Sequence, residues 1–323
     1  MINDIKKYLN WKNPTFQFSI LLVVVVCLSF LDLIWFASSD AERIRDVVNL
    51  ISVFAITEGF YVLNYYFFKI KNINYLHLGI TGSIIFLVVH PTTPWYLYMA
   101  AAALAILGKT FIRDRGAPIF NPAALGIALG YLLSLILLKA GIVRETLFES
   151  WWGSDLQFTF FKFSPVLWVI SFAILGLFIY YCKRFNKLNH AVAYYVTYIG
   201  LSFLYYQVKD VPIIWMTYLM NIFTGSFIFL AFVMVSEPKT SPVMKNQQIW
   251  LGITGGVILF IFSSMIPEHL PALNTEIPTI AALLVLNYIT YIVKSNGVRP
   301  APVVTPVAPQ QPLNPPQPQA KVV

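Results

Sequence analysis

Long apolar runs, each closed by a short segment carrying charge or proline, recur from near the N-terminus to about residue 293. They lie at Gln17–Ala37, Val47–Phe68, Leu76–Val89, Tyr96–Leu107, Pro122–Leu138, Ser164–Cys182, Ala191–Tyr206, Tyr218–Val235, Ile249–Ile266 and Ile277–Val293. A helix crossing a bilayer needs roughly 20 such residues, so the pattern reads as about ten spans, two of them clearly short. Backbone in lipid must satisfy its own hydrogen bonds, which makes these runs helices and not open strands. The expectation is an all-α polytopic membrane protein.

Composition agrees and excludes other classes. The chain is 58% hydrophobic and 11% charged, with a mean hydropathy of +0.70, outside the range of soluble domains. Its formal charge of +8 is scattered between apolar runs and forms no patch, so a nucleic-acid partner is not expected. The charges report orientation instead. With the N-terminus inside, the inner segments hold Lys6, Lys7, Lys12, Lys69, Lys71, Lys109, Arg113, Arg115, Lys183, Arg184, Lys187, Lys239, Lys245, Lys294 and Arg299. Most acids then fall outside, among them Asp40, Glu42, Asp46, Glu145, Glu149, Asp155, Asp210, Glu268 and Glu276. Both termini are placed in the cytoplasm. The first apolar run is long and has no small-residue cleavage site, so it reads as a span and not as a removed signal peptide.

Cys27 and Cys182 sit inside apolar runs with no Cys-x-x-Cys neighbour, and the four histidines are scattered. No disulfide framework, iron–sulfur cluster or haem is expected within this chain.

The chain also resembles itself. Thr81-Gly82-Ser83-Ile84-Ile85-Phe86-Leu87 matches Thr224-Gly225-Ser226-Phe227-Ile228-Phe229-Leu230 at all but one position. Each copy runs into a proline turn, His90-Pro91-Thr92-Thr93-Pro94 in the first and Glu237-Pro238-Lys239-Thr240-Ser241-Pro242 in the second. Five spans per copy is an odd number, so the second copy should be inverted, as in many transport folds. The resulting division is a cytoplasmic N-terminus (1–16), a first five-helix repeat (17–138), an outer loop (139–163) and a second repeat (164–294). A Pro/Gln-rich tail (295–323) follows, which cannot form a packed core and is expected to be disordered.

Chemistry concentrates in Gly108–Gly130. Asn121 can cap the next helix and Pro122 suits its first position, which leaves free N–H groups and a positive dipole end near Lys109 and Arg113. That combination suits an anion or a reduced flavin or quinone oxygen. The bland alternative is a capped membrane helix with inside-rule charges. Glu58 lies near the middle of its span, where an ionised carboxylate costs several kcal/mol, so it should face a cavity, a partner or a cation, or else be protonated and structural. Glu237 closes the eighth span beside Lys239, and an interfacial ion pair is its plain alternative. Asp32, near an outer interface, reads as structural. The Trp residues near span ends form an ordinary aromatic belt.

HPTTPWYLYMAAAALAILGKTFIRDRGAPIFNPAALGIAL and FVMVSEPKTSP together resemble the NqrB/RnfD family of sodium-pumping NADH:quinone reductases and Rnf complexes. Glu237 takes the place of the family's Asp in the second motif. The resemblance covers roughly 76–293. It implies a fold similar to urea and ammonium channels, partner subunits in the membrane and the cytoplasm, and a bacterial-type inner membrane. It also implies a non-autonomous subunit of a membrane oxidoreductase. The family carries FMN on a Thr in a Ser-Gly-Ala-Thr motif after the fifth span. The corresponding stretch here holds Trp152-Gly153-Ser154-Asp155, so covalent FMN is not expected and a non-covalent flavin is the alternative. On the resemblance, Lys109, Arg113, Asn121, Pro122 and Thr240 would hold a cofactor, and Glu58 and Glu237 would lie on an ion pathway. The competing reading is a stand-alone channel or transporter on the same scaffold. A weaker one is a scaffold whose tail recruits a soluble enzyme.

Overall fold

The computed structural model describes residues 13–36, 39–63, 66, 75–114, 116–147, 165–209, 225–271 and 277–297. The N-terminal lysines, Trp152-Gly153-Ser154-Asp155, Thr224 and the Pro/Gln-rich tail lie outside the described residues. Ten helical segments carry the described chain. The first half holds α1 (Pro14–Phe36), α2 (Asp40–Leu63), α3 (Tyr75–Val88), α4 (Trp95–Phe111) and α5 (Pro122–Lys139). The second holds α6 (Pro165–Arg184), α7 (Leu188–Val208), α8 (Gly225–Phe229, continuing as a π-helix over Leu230–Val235), α9 (Lys245–His269) and α10 (Pro278–Gly297).

By length and composition, Pro14–Leu31, Pro122–Lys139, Lys245–His269 and Pro278–Ser295 are apolar and long enough to cross a membrane. Leu76–Val88, Trp95–Phe111 and Ser226–Val235 are apolar but shorter. The helices α3 and α8 bear the repeated Gly-Ser motif, and each ends at its proline turn. Apolar side chains such as Leu132, Ile136, Val196 and Leu204 point outward, as helices in lipid require.

Proline marks helix starts. Pro14, Pro122, Pro165 and Pro278 open α1, α5, α6 and α10, where the missing N–H would have had no helical partner. At α1 the preceding Asn13 accepts from Thr15 N at 3.0 Å, which caps the turn.

Small residues set the helix spacing. Ala101, Ala102 and Ala105 of α4 and Ala123, Ala124 and Ile127 of α5 are all buried, and the two helices pack together. A Cβ on Gly126 would stand 2.3 Å from Ala101 O, so the two backbones touch where any side chain would part them. The glycine face of α9 does the same against α7, with Gly252 lying close to His190 O.

Between α4 and α5 the chain makes a two-stranded hairpin, β1 (Arg113–Asp114) against β2 (Ala117–Pro118), with Arg113 opposite Pro118. Gly116 turns it at φ +83°, a conformation that favours glycine.

Candidate functional site

The start of α5 is fixed from both halves of the chain. Asn121 caps α5 by accepting from Ala124 N at 3.2 Å, and Pro122 follows at the first helical position. Its Nδ2 donates to Met234 O at 3.4 Å, and its own backbone N–H donates to Asn287 Oδ1 at 2.8 Å. One residue therefore joins α5, the end of α8 and α10.

The π-helix of α8 supplies the opposite wall. Insertion of extra residues per turn loosens the usual ladder, and such segments recur at functional sites. Phe232 O accepts from both Ser236 Oγ at 2.6 Å and Cys182 Sγ at 3.0 Å. Cys182 is buried, 2% exposed, in the same core as Phe178 and Phe229.

These elements enclose a cavity lined by Lys109, Asn121, Pro122, Cys182, Ser236 and Glu237, with His77 and Thr81 of α3 on one side. Its volume of about 40 Å³ suits roughly three waters or a small hydrated ion. Lys109, in the last turn of α4, donates to His77 O at 3.0 Å. It interacts electrostatically with Glu237 and Glu58, which come from the second and first halves of the chain. Glu58 rests on α3 where Gly79 leaves room, a Cβ there standing 3.2 Å from Glu58 Oε1. Glu237 accepts from Thr240 Oγ1 at 3.1 Å. Burial pushes the Glu237 carboxyl above its ordinary value, against the pull of the Lys109 ammonium and the Thr240 hydroxyl.

The turn that carries Glu237 is held rigidly. Lys187, 5% exposed at the start of α7, donates to Ser241 O at 3.3 Å and Pro242 O at 2.6 Å. Burial, with Lys294 nearby, pushes its ammonium down to about 8. Gln248 Nε2 adds bonds to Asn186 O, Pro242 O and Val243 O, and Lys294 Nζ donates to Lys239 O at 3.2 Å. The first proline turn is held in a parallel way, with Asn49 Nδ2 on Pro91 O and Thr93 O and Tyr98 OH on Val89 O and His90 O.

Of the residues singled out from the sequence, Lys109, Asn121, Pro122 and Glu237 line one cavity. Thr240 reaches it through Glu237, and Glu58 through Lys109. Arg113 stands apart, its Nη2 on Gly116 O at 3.1 Å, where it closes the hairpin. Sequence reasoning missed His77, Ser236, Cys182, Lys187 and Asn287. Asn287 had a signal, being a polar amide inside the apolar run Ile277–Val293. Lys187 had none beyond its charge. Among the described residues no group of three His, Cys, Asp or Glu could hold a metal ion.

A multi-pass helical membrane protein with a small, charge-lined cavity between its halves is thus the class defined by fold and site. The model of the NQR2, RnfD, RnfE family matches residues 9–269, and the chain belongs to that family. Its members are membrane subunits of Rnf and Nqr complexes. Among curated proteins, none matches the chain.

Proposed function

We propose that this chain is the integral membrane subunit of an Rnf/Nqr-like electron-transport complex, and that Glu58, Lys109 and Glu237 carry a proton or small cation coupled to electron transfer. The observation behind this reading is that one half-buried ammonium lies in the electrostatic field of two carboxylates from opposite halves, without a direct ion pair to either, beside a cavity sized for a few waters. Movement of a proton or cation through such a cluster changes which carboxylate Lys109 neutralises, and the water-sized space allows that transfer without exposing charge to lipid.

The scaffold is two inverted five-helix repeats of the urea/ammonium-channel kind, with both termini cytoplasmic. Two features support duplication beyond the repeated Gly-Ser motif. Proline opens the first and fifth helix of each half, at Pro14, Pro122, Pro165 and Pro278. The proline turn of each half is held by the fourth residue of the helix that follows it, Tyr98 in α4 and Gln248 in α9.

A non-covalent flavin does not fit the cavity at Lys109. The space there takes about three waters, the side chain of Asn121 is engaged with Met234 O and Ala124 N, and neither Arg113 nor Thr240 lines it. No flavin step is assigned to these residues.

The test is reconstitution of the complex in liposomes, with electron transfer and cation or proton uptake measured together. E237Q and E58Q are expected to lower uptake on the order of 10²-fold, as loss of a proton-transfer group does, with subunit assembly intact. Uptake that needs Glu58 but no redox partner would replace the proposal with the stand-alone channel. Full coupling in both variants would overturn it.

A further inference from the structure

A second cavity lies beside the first, between the β1–β2 hairpin, the Glu237 turn and the end of α10. Its lining includes Asp114, Lys239, Thr240, Tyr291, Lys294 and Ser295, and its volume of about 180 Å³ is roughly a dozen times what one water needs. The neighbouring cavity is already committed, because Lys109 holds His77 O. This one is not. Lys239 Nζ has no hydrogen-bond or ion-pair acceptor within reach among the described residues, and Glu237, the acid that attracts it, makes no ion pair with it. Lys294 spends one N–H on Lys239 O and keeps two.

The local charge balance is positive. Lys239 is repelled by Arg113, and Lys187 by Lys294. The acids on hand are Glu237, shared among Lys109, Lys239 and Lys294, and Asp114, which has an interaction of its own. Lys294 in the last turn of α10 offsets the carbonyl end of that helix, which accounts for one charge. Lys239 is an exposed residue at the cleft whose ammonium holds no carbonyl or carboxylate among the described residues. Two ammonium groups and a phenol around an open cleft are a donor set for a tetrahedral oxyanion, the Thr240 and Ser295 hydroxyls being already given to Glu237 and Ile292 O.

We propose that this cleft binds a phosphate group, with Lys239 and Lys294 as its charged donors and Tyr291 as a neutral one. The phosphate belongs either to a free phosphate-bearing solute or to the headgroup of an anionic lipid. This site is independent of the redox reading, since it rests on the cleft and its two lysines, and the two fail separately. An anion seated there would also draw Lys239 and Lys294 away from Glu237 and leave that carboxyl to Lys109.

The full-length protein, placed in nanodiscs, tests this by its thermal unfolding midpoint. In neutral phosphatidylcholine discs, inorganic phosphate is expected to raise the midpoint above chloride at matched ionic strength if the ligand is a solute. If it is a headgroup, free phosphate has little effect and phosphatidylglycerol discs raise the midpoint instead. Either response should fall by roughly ten-fold in half-saturating concentration or lipid fraction in K239Q, which removes no structural hydrogen bond, and further in Y291F combined with it. K245Q, an exposed lysine at the start of α9, serves as the control. No protection by either anion, or a K239Q response equal to wild type, would overturn the site.

Discussion

The backbone N–H of Asn121 donates to Asn287 Oδ1 at 2.8 Å, across 166 residues, and both groups are buried. This bond ties the start of α5 to the middle of α10, so the cavity's floor depends on a residue far from either motif.

The first prediction follows. N287L leaves the buried Asn121 N–H without an acceptor, which costs about 1–3 kcal/mol. N121A removes both the cap of α5 and the bond to Met234 O and should cost a comparable amount. Thermal unfolding of purified protein checks both. A stability equal to wild type in N287L would mean the bond does not form in the membrane.

Helix spacing gives a paired prediction. G126A places a Cβ 2.3 Å from Ala101 O and 2.5 Å from Ala105 Cβ, so α4 and α5 must separate, at a cost of about 1–3 kcal/mol. G176A meets nothing within 4 Å on the exposed face of α6 and should be neutral or stabilising by up to about 1 kcal/mol. The two are compared by unfolding midpoint under one set of conditions, and equal effects would contradict the close backbone contact.

The turns and the charged interruption could be read from the chain because a membrane helix marks each end with residues its interior rejects. Asn121-Pro122 and Glu237-Pro238 are such marks, and they do stand at the site. Pairing across the chain could not be read. That Lys109 faces Glu237 follows from where α4 and α8 end relative to one another, and the small-residue contact at Gly126 sets part of that register. Arg113 shows the converse. Its charge and its place before Asn121 pointed to the site, yet Gly116 turns the hairpin so that the guanidinium closes on it. The two-residue turn ending in Gly116 carried that information, masked by the charges around it.

The pH dependence of stability has a definite sign at Glu237. Its folded carboxyl titrates above the ordinary 4.5, so the folded state holds the proton more tightly than the unfolded chain. The contribution is present below pH 4.5 and is lost as pH rises through the higher folded value. E237Q should flatten the fall in stability over that window, read as unfolding midpoint against pH. An unchanged slope would place the titration on another group.

The last prediction concerns the two proline turns. Y98F removes the donor to Val89 O and His90 O, and Q248L removes the donor to Asn186 O, Pro242 O and Val243 O. The lost bonds are worth about 0.5–1.5 kcal/mol each, so neither variant is expected to unfold the protein. Their effect is local. Thr93 N–H donates to His90 O and Ser241 N–H to Glu237 O, both at 3.0 Å, and each reports on its own turn. Hydrogen exchange at Thr93 should quicken in Y98F alone, and exchange at Ser241 in Q248L alone. Because the second turn carries Glu237, only Q248L should also weaken cation or proton uptake by the reconstituted complex. If Y98F disturbs uptake as strongly while Ser241 exchange stays unchanged, the pathway runs through the His90 turn as well, and the two halves share the work that the Glu237 cluster is assigned.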